Sequence, residues 1–287
     1  MKLNLLLLGH TGKMGLALQE ALAPAYTIIG RNSRDFDATD YDQVECLLND
    51  LNPAVIMNAV ASMGIDACEL HPEQALAVNT LFPKHLAAWA VRTDGLLVHF
   101  SSEAVFPDAG EGQVFVESSS PRPVNIYGLT KYGGDCFVSG GTPRHYIFRL
   151  PMLFGDALKP NQFVEKMMDR ILAGEPELKV STDCWTTPSY SRDLAGAVRD
   201  IVVAKKPYGL YHLANDGKAS LFDLITELVA LMRRDVRVLP VPHTVFPSRG
   251  VKNLCPILAS EKTVCLRPWR EALRSYMDRM IKKGGSI

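Results

Sequence analysis

The chain has 287 residues, room for one large α/β unit or about two ordinary domains, and enough to bury a core without disulfide staples. Hydrophobic residues make up 47% and charged residues 22%, which excludes disordered, collagen-like and disulfide-scaffold classes. Lys plus Arg and Asp plus Glu balance at 31 each, so no global positive field exists to hold a nucleic acid, and no apolar run reaches the ~18 residues that a bilayer span needs.

The first strand is Leu3 to Leu8, because Leu5 to Leu8 is too short for the apolar core of a signal peptide and runs directly into glycines. Gly9, Gly12 and Gly15 then give GxxGxxG and open a helix from Gly15 to Leu22. A strand-to-helix turn of this kind lets a pyrophosphate reach the backbone and the free N–H groups of the helix. Lys13 and Met14 belong to the same expected cofactor-binding turn. The second strand, Thr27 to Gly30, is followed by Arg31, Asn32 and Ser33, with no acid before Asp35. An arginine where NAD sites place a carboxylate favours NADPH, with NADH the alternative, although a solvated surface arginine has the same appearance in sequence. Asp37, with Ala38 beside it, fits the adenine edge or a turn equally well.

Helices over Tyr41 to Asp50 and Pro72 to Arg92 flank a third strand, Ala54 to Asn58, and the fourth strand is Leu96 to Ser101. Ser101 and Ser102 stand at its carboxyl edge, where ligands of α/β sheets bind. The next helix, Tyr127 to Val138, carries Tyr127 and Lys131 one turn apart. An ammonium near a tyrosine lowers the phenol pKa, and such a tyrosine serves as general acid to a carbonyl oxygen. Tyr146 to Leu150 is the fifth strand. Five strands in α/β alternation predict a doubly wound parallel sheet. After Arg149 the pattern loosens, with irregular stretches at Gly155 to Pro160 and Val238 to Pro256. Residues 1–150, with about 180–213 returning to them, form the expected dinucleotide-binding domain, and 151–287 form mainly a smaller mixed α/β substrate domain. Its helices are Ser220 to Arg233, with Ser220 as cap and Leu221, Leu224, Ile225, Leu228 and Met232 on one face, and Trp269 to Lys283, with Leu273, Tyr276, Met277, Met280 and Ile281. The six cysteines, Cys46, Cys68, Cys136, Cys184, Cys255 and Cys265, have no CxxC or metal-ligand spacing, which reads as reduced thiols in a cytoplasmic protein with no metal site.

The glycine turn, the serine after the fourth strand and the YxxxK pair occur in the order of the extended short-chain dehydrogenase/reductase superfamily. Together with LLLLGHTGKMG, FDATD, VIMNAVASMGIDACE, ALAVN, HFSSEAVF, ESSSPRPVNIYGLTKYGGD, RLPMLFG, TPSYSRDLA and GLYHLAN, the chain resembles dTDP-4-dehydrorhamnose reductases within it. The resemblance implies Ser102, Tyr127 and Lys131 as catalytic residues, with Tyr127 protonating the nascent alkoxide and Lys131 also holding the nicotinamide ribose. It implies that Asn58, Ala59, Val60, Ala61, Asn79 and the Pro151 to Leu153 stretch line the cofactor, and that Glu103 touches the substrate or shares in proton delivery. Ala104 replaces an aromatic of the family, Leu150 and Pro151 replace a Thr-Ser, and Arg249-Gly250 stands where the family tends to have Arg-Pro. Ser102, Glu103, Ala104, Tyr127 and Arg249 are the expected substrate contacts, with Arg249 and Lys252 the candidates for its diphosphate. The implied activity is reduction of a nucleotide-linked 4-keto-6-deoxy sugar, with no nucleic-acid or membrane partner and a homodimer as the possible assembly. Two alternatives stand beside it: an extended reductase, epimerase or dehydratase for another nucleotide sugar, and a cofactor-binding regulatory subunit like that of methionine adenosyltransferase.

Overall fold

The computed structural model describes residues 2–110, 112–157, 162–263 and 265–282. In chain order the strands are β1 (Leu3–Leu8), β2 (Tyr26–Arg31), β3 (Val55–Asn58), β4 (Leu96–Ser102), β5 (His145–Leu150), β6 (Leu153–Phe154), β7 (Glu177–Ser181), β8 (Trp185–Thr186), β9 (Ser189–Tyr190), β10 (Gly209–His212), β11 (Ala219–Ser220) and β12 (Arg237–Val241). The helices are α1 (Lys13–Leu22), α2 (Tyr41–Leu51), α3 (Ile65–Leu70), α4 (Pro72–Leu76), α5 (Phe82–Thr93), α6 (Ile126–Gly141), α7 (Phe163–Leu172), α8 (Ser191–Val203), α9 (Leu221–Met232) and α10 (Trp269–Lys282). Leu158 to Pro160 of one expected irregular stretch, and Lys283 at the expected end of the last helix, lie outside the described residues.

The central sheet has six strands in the order β10-β5-β4-β3-β1-β2, all in parallel register. The expected five therefore gain β10, whose short Gly209–His212 run pairs with Tyr146–Arg149. Both faces are covered, which is why the inner strands read as unbroken apolar runs. On one face Leu5, Leu7, Val98 and Phe148 pack with α1 and α8 residues such as Leu18, Leu194 and Val198. On the other, Leu6, Leu8, Ile56 and Ile147 pack with Leu48, Leu86 and Trp89. The strand order reverses between β1 and β3, so the crevice at their carboxyl ends lies at a topological switch point.

A second core joins α7, α9 and α10 with β7 around Phe154, Met168, Leu224, Leu228, Trp269 and Tyr276. Ser220 caps α9 and exchanges bonds with Asp223 in a capping box. Within the expected apolar faces, Leu221 is only half-buried and Ile281 is 55% exposed. The stretch expected to be irregular from Val238 contains β12, paired in parallel with β7. Pro240 is tolerated there because β12 is an edge strand.

The expected helix over Pro72 to Arg92 is interrupted by a π-helical turn at Ala77–Leu81. Pro83 explains it: proline has no N–H for the carbonyl of Asn79 four residues earlier, and its ring crowds that carbonyl, so the turn widens. The widened turn places Asn79, which is fully buried, toward the crevice loop described next.

Candidate functional site

The glycine turn folds tightly after β1. Gly9 has φ +80, and its N–H donates to the Arg31 carbonyl at 2.8 Å. A Cβ on Gly9 would lie 2.8 Å from the Ala59 carbonyl oxygen, and one on Gly15 would lie 2.3 Å from the Gly9 carbonyl oxygen. The loop therefore closes on itself and on Asn58 to Ala61 only with glycine at both places. Gly12 is the N-cap of α1 and offers no side-chain bond to the first-turn N–H groups, which leaves Lys13, Met14 and Gly15 to present backbone donors at a positive helix end, the arrangement that suits a pyrophosphate. The Lys13 side chain does not face that ligand: its ammonium pairs with Glu165 of α7 and donates to Gln162, each at 2.6 Å.

Arg31 ends β2 with its Nη1 on the Gly30 carbonyl at 2.9 Å. The nearby acid, Asp35, accepts from the Asn32 N–H at 2.8 Å, so it closes its own turn. Asp37 likewise accepts from the N–H and hydroxyl of Thr39, both at 2.8 Å, and these bonds hold its carboxyl below the usual range. Asp37 thus closes a turn with Thr39. Ala38 packs against the hydrophobic face of the sheet.

Asn58 is buried; its Oδ1 accepts from the Val60 N–H at 3.1 Å and its Nδ2 meets His99 Nδ1 at 3.3 Å. Asn79, expected to line the cofactor, holds the loop instead. Its amide accepts from the Ser62 N–H and donates to the Ser62 carbonyl, both at 2.9 Å, and also donates to Thr130 Oγ1 at 3.1 Å. All of its side-chain polar atoms are engaged in the scaffold. Pro151 follows β5 as a buried residue, and Met152 after it accepts from the Ser189 N–H at 2.9 Å.

Ser102 closes β4, where its Oγ accepts from the Ala104 N–H at 3.2 Å. Its hydroxyl stands near Tyr127 and draws the phenol pKa down, while the stronger effect of burial raises it above the usual value. The approach of the two elements depends on Gly128, where a Cβ would fall 2.0 Å from the Ala104 carbonyl oxygen. The start of α6 is set by Asn125, whose Oδ1 accepts from the Gly128 N–H at 2.8 Å and whose Nδ2 donates to Val251 and Asn253 of the distal loop at 2.9 and 2.8 Å. Lys131 is 2% exposed and donates to the Phe100 carbonyl at 2.6 Å; burial brings its pKa down to about 8. Desolvation of the phenol outweighs what draws its pKa down, so the net direction is up. A phenol that stays protonated at neutral pH is the correct state for an acid.

These groups open into a cleft of about 480 Å³ lined by Ser102, Glu103, Ala104 and Tyr127 on one side and by Met152, Cys184, Trp185, Thr186, Leu221 and Lys252 on the other. Glu103 lies 3.4 Å from Thr186 Oγ1, and burial raises its pKa to about 8. It is an uncharged acid at pH 7, able to donate as well as accept. Arg249 stands exposed beside the cleft with its backbone N–H on Asp66 at 2.7 Å, so the cation in the wall is Lys252, beside Ser248 and Asn253. Thr186, Trp185 and Asn125 were missed by sequence reasoning; the run Trp185 to Tyr190 just before α8 is the signal that marks the first two.

A carboxyl that keeps its proton because of burial has a consequence for stability. Between pH 4.5 and about 8 the folded chain holds a proton on Glu103 that the unfolded chain has released, so stability falls as pH rises through that window. Glu103→Gln should flatten this slope and raise the melting temperature at pH 8 more than at pH 5; equal effects at both pH values in thermal melts would refute the uncharged state.

The geometry is that of a dinucleotide crevice joined to a hydroxyl-lined cleft, and comparison with known proteins agrees over the whole length. The family model for the RmlD substrate binding domain matches residues 1–282. The dTDP-4-dehydrorhamnose reductase of Mycolicibacterium smegmatis is 31% identical over 287 residues, covering 97% of this chain and 86% of its own. The solved reductase of Clostridium acetobutylicum superposes with a TM-score of 0.91 at 30% identity, covering 97% of this chain and 99% of its own. The Bacillus anthracis reductase, solved in complex with NADP, also has a TM-score of 0.91, at 26% identity over 97% of this chain and 100% of its own. With the glycine turn after β1, the cleft that Ser102 and Tyr127 line, and matches that run nearly end to end, the chain belongs to the dTDP-4-dehydrorhamnose reductase family of extended short-chain dehydrogenases/reductases.

Proposed function

We propose that the protein is an NADPH-dependent reductase that converts dTDP-4-dehydro-L-rhamnose to dTDP-L-rhamnose, with Ser102, Tyr127 and Lys131 as its catalytic residues. The observation that carries the assignment is that Ser102 and Tyr127 line one cleft together, with the Lys131 ammonium buried one turn along the same helix from Tyr127. NADPH, when bound, supplies the hydride that reduces the C4 carbonyl of the sugar. The backbone donors of residues 13–15 would hold its pyrophosphate, and Arg31 would face its 2′-phosphate. Ser102 and Tyr127 grip the sugar C4 oxygen and fix the carbonyl in line, so most of the rate gain is alignment and electrostatics. Tyr127 delivers its proton to that oxygen as negative charge grows on it, and Lys131 stabilises the phenolate left behind. Glu103, uncharged and beside Thr186, hydrogen-bonds a sugar hydroxyl or the same oxygen, and Lys252 offers a charge to the diphosphate. We place the dinucleotide site in residues 1–150 with 180–213, and the substrate contacts mainly in 151–287.

The test is loss of nicotinamide absorbance when purified protein, NADPH and enzymatically generated dTDP-4-dehydro-L-rhamnose are mixed. Oxidation by the wild type fixes chemistry and sugar class; NADPH binding with no oxidation of this or any related keto sugar would refute the reading. Arg31→Asp should weaken NADPH by about tenfold more than NADH, the value of one charge-assisted contact. Unchanged preference in a titration with both cofactors would remove Arg31 from the phosphate site.

A further inference from the structure

Beneath Tyr127 and Lys131 lies a buried polar cluster that the reaction as described does not use. Tyr127, Lys131 and Asp135 follow each other at four-residue intervals on one face of α6. Asp135 is 3% exposed and accepts from Arg149 Nε of β5 onto Oδ2 at 3.0 Å. Arg149 is 4% exposed, with its guanidinium over the Phe106 ring at 5.1 Å. From β4, the fully buried His99 presents Nε2 to the other carboxylate oxygen of Asp135 at 4.0 Å.

The orientation of His99 is set from the crevice loop. Because the Val60 N–H donates to Asn58 Oδ1, the other end of that amide, Nδ2, donates to His99 Nδ1. The ring proton therefore sits on Nε2, facing Asp135. The groups around Lys131 are thus Tyr127 and Asp135 on its own helix, His99 from β4, Arg149 from β5 behind Asp135, Glu103 beyond Ser102, and Cys68 of α3 facing the phenol. His99 is uncharged, because burial and the Lys131 charge hold its pKa well below the ordinary value. Burial raises the Asp135 pKa, while Arg149, Ser101 and Lys131 pull it back. Among these groups Asp135 is the buried carboxylate: Arg149 holds it directly, and Lys131, whose own hydrogen bond goes to the Phe100 carbonyl, stands one helical turn away.

We propose that Asp135, fixed by Arg149 and faced by His99, is a positioning residue for the reaction: it keeps the Lys131 ammonium charged and in register with Tyr127. The inference rests on the reading of Tyr127 and Lys131 given above. A buried cation with no counter-charge sheds its proton, and an opposite charge one helical turn away prevents this.

The test is the pH dependence of two quantities, NADPH affinity measured by quenching of intrinsic fluorescence and kcat/KM for the keto sugar, in the wild type, Asp135→Asn and Asp135→Glu. Loss of the carboxylate lowers the Lys131 pKa, so the basic limb of both profiles should move to lower pH by about one unit or more in Asp135→Asn. Asp135→Glu should bring it most of the way back, and kcat should fall more than KM rises. A folded Asp135→Asn protein with an unmoved basic limb overturns the proposal, whatever its turnover. If that variant does not fold, Asp135→Asn with Arg149→Gln replaces the ion pair by a neutral amide pair. The same displacement is expected, because Arg149 faces Lys131 only across Asp135, and an unmoved limb there overturns the proposal equally. The NADPH profile needs no sugar, so a wrong substrate assignment leaves the test intact. Lys131→Met with unchanged NADPH affinity and turnover would instead sink the reading of Lys131 and the inference with it.

Discussion

Tyr127→Phe should lose about 10²–10⁴-fold in kcat, the range a positioned general acid supplies, while its affinity for NADPH stays within about twofold of the wild type, because the ring and its packing are retained. The loss follows from the protonation state. Burial raises the Tyr127 pKa more than Ser102 beside it draws it down, so at neutral pH the group holds a proton ready for the C4 oxygen. Phenylalanine leaves that oxygen with Ser102 alone, which orients it and supplies no acid of matched strength. Glu103, with a pKa of about 8, is the other proton-bearing group in the cleft, so the residual turnover of Tyr127→Phe should decline as pH rises through 8. Single-turnover rates against pH check both parts; near-normal turnover at pH 7 would remove the acid role from Tyr127.

Whether a residue's role is legible in the sequence depends on whether its task is local. The glycines of the first turn, the capping pair Ser220 and Asp223, and the YxxxK spacing act within a few residues of themselves, and the order of the amino acids is enough to identify each. Arg31 and Asp37 show where this ends. Arg31 ends β2 and Asp37 lies in the loop that follows; Asp37 closes a turn with Thr39 through two short bonds that spacing does not encode. Asn79 matches a family segment, but the π-helical turn made by Pro83 aims its amide at Ser62, so it builds the cofactor loop from behind. Thr186 and Trp185 reach the cleft only because the chain returns from β7 to the catalytic edge, a long-range event invisible to periodicity. The sixth strand is hidden for a simpler reason: Gly209–His212 holds a single aliphatic residue, Leu210, whereas β3, equally short, reads Val-Ile-Met-Asn.

Lys13 gives the other large effect. Its ammonium is the first side chain of α1, yet it pairs with Glu165 across 152 positions of sequence, with side-chain exposures of 3% and 6%. Breaking one half of such a pair strands the other charge in a dry environment, which costs about 3–5 kcal/mol, whereas replacing both halves by apolar side chains of similar size is close to neutral. Glu165→Leu should therefore lower the melting temperature by roughly ten degrees, at about 2–4 °C per kcal/mol for a chain of this size, and Lys13→Met combined with Glu165→Leu should recover most of the loss. The pH dependence separates this cause from lost packing. Burial already holds the Lys13 pKa below 10.5 against the pull of Glu165, and without Glu165 it falls further. A lysine whose folded pKa lies below its unfolded value makes the fold more stable as pH climbs toward 10.5, so the deficit of Glu165→Leu relative to wild type should shrink between pH 7 and about pH 10. A deficit that is constant with pH, and additive in the double variant, would show that α7 and α1 are joined by packing alone. If the pair behaves as expected, Glu165→Leu should also weaken NADPH, because Lys13 is the first residue of α1, the helix to whose N–H groups we assign the pyrophosphate, and an ammonium seeking solvent would pull that turn out of place.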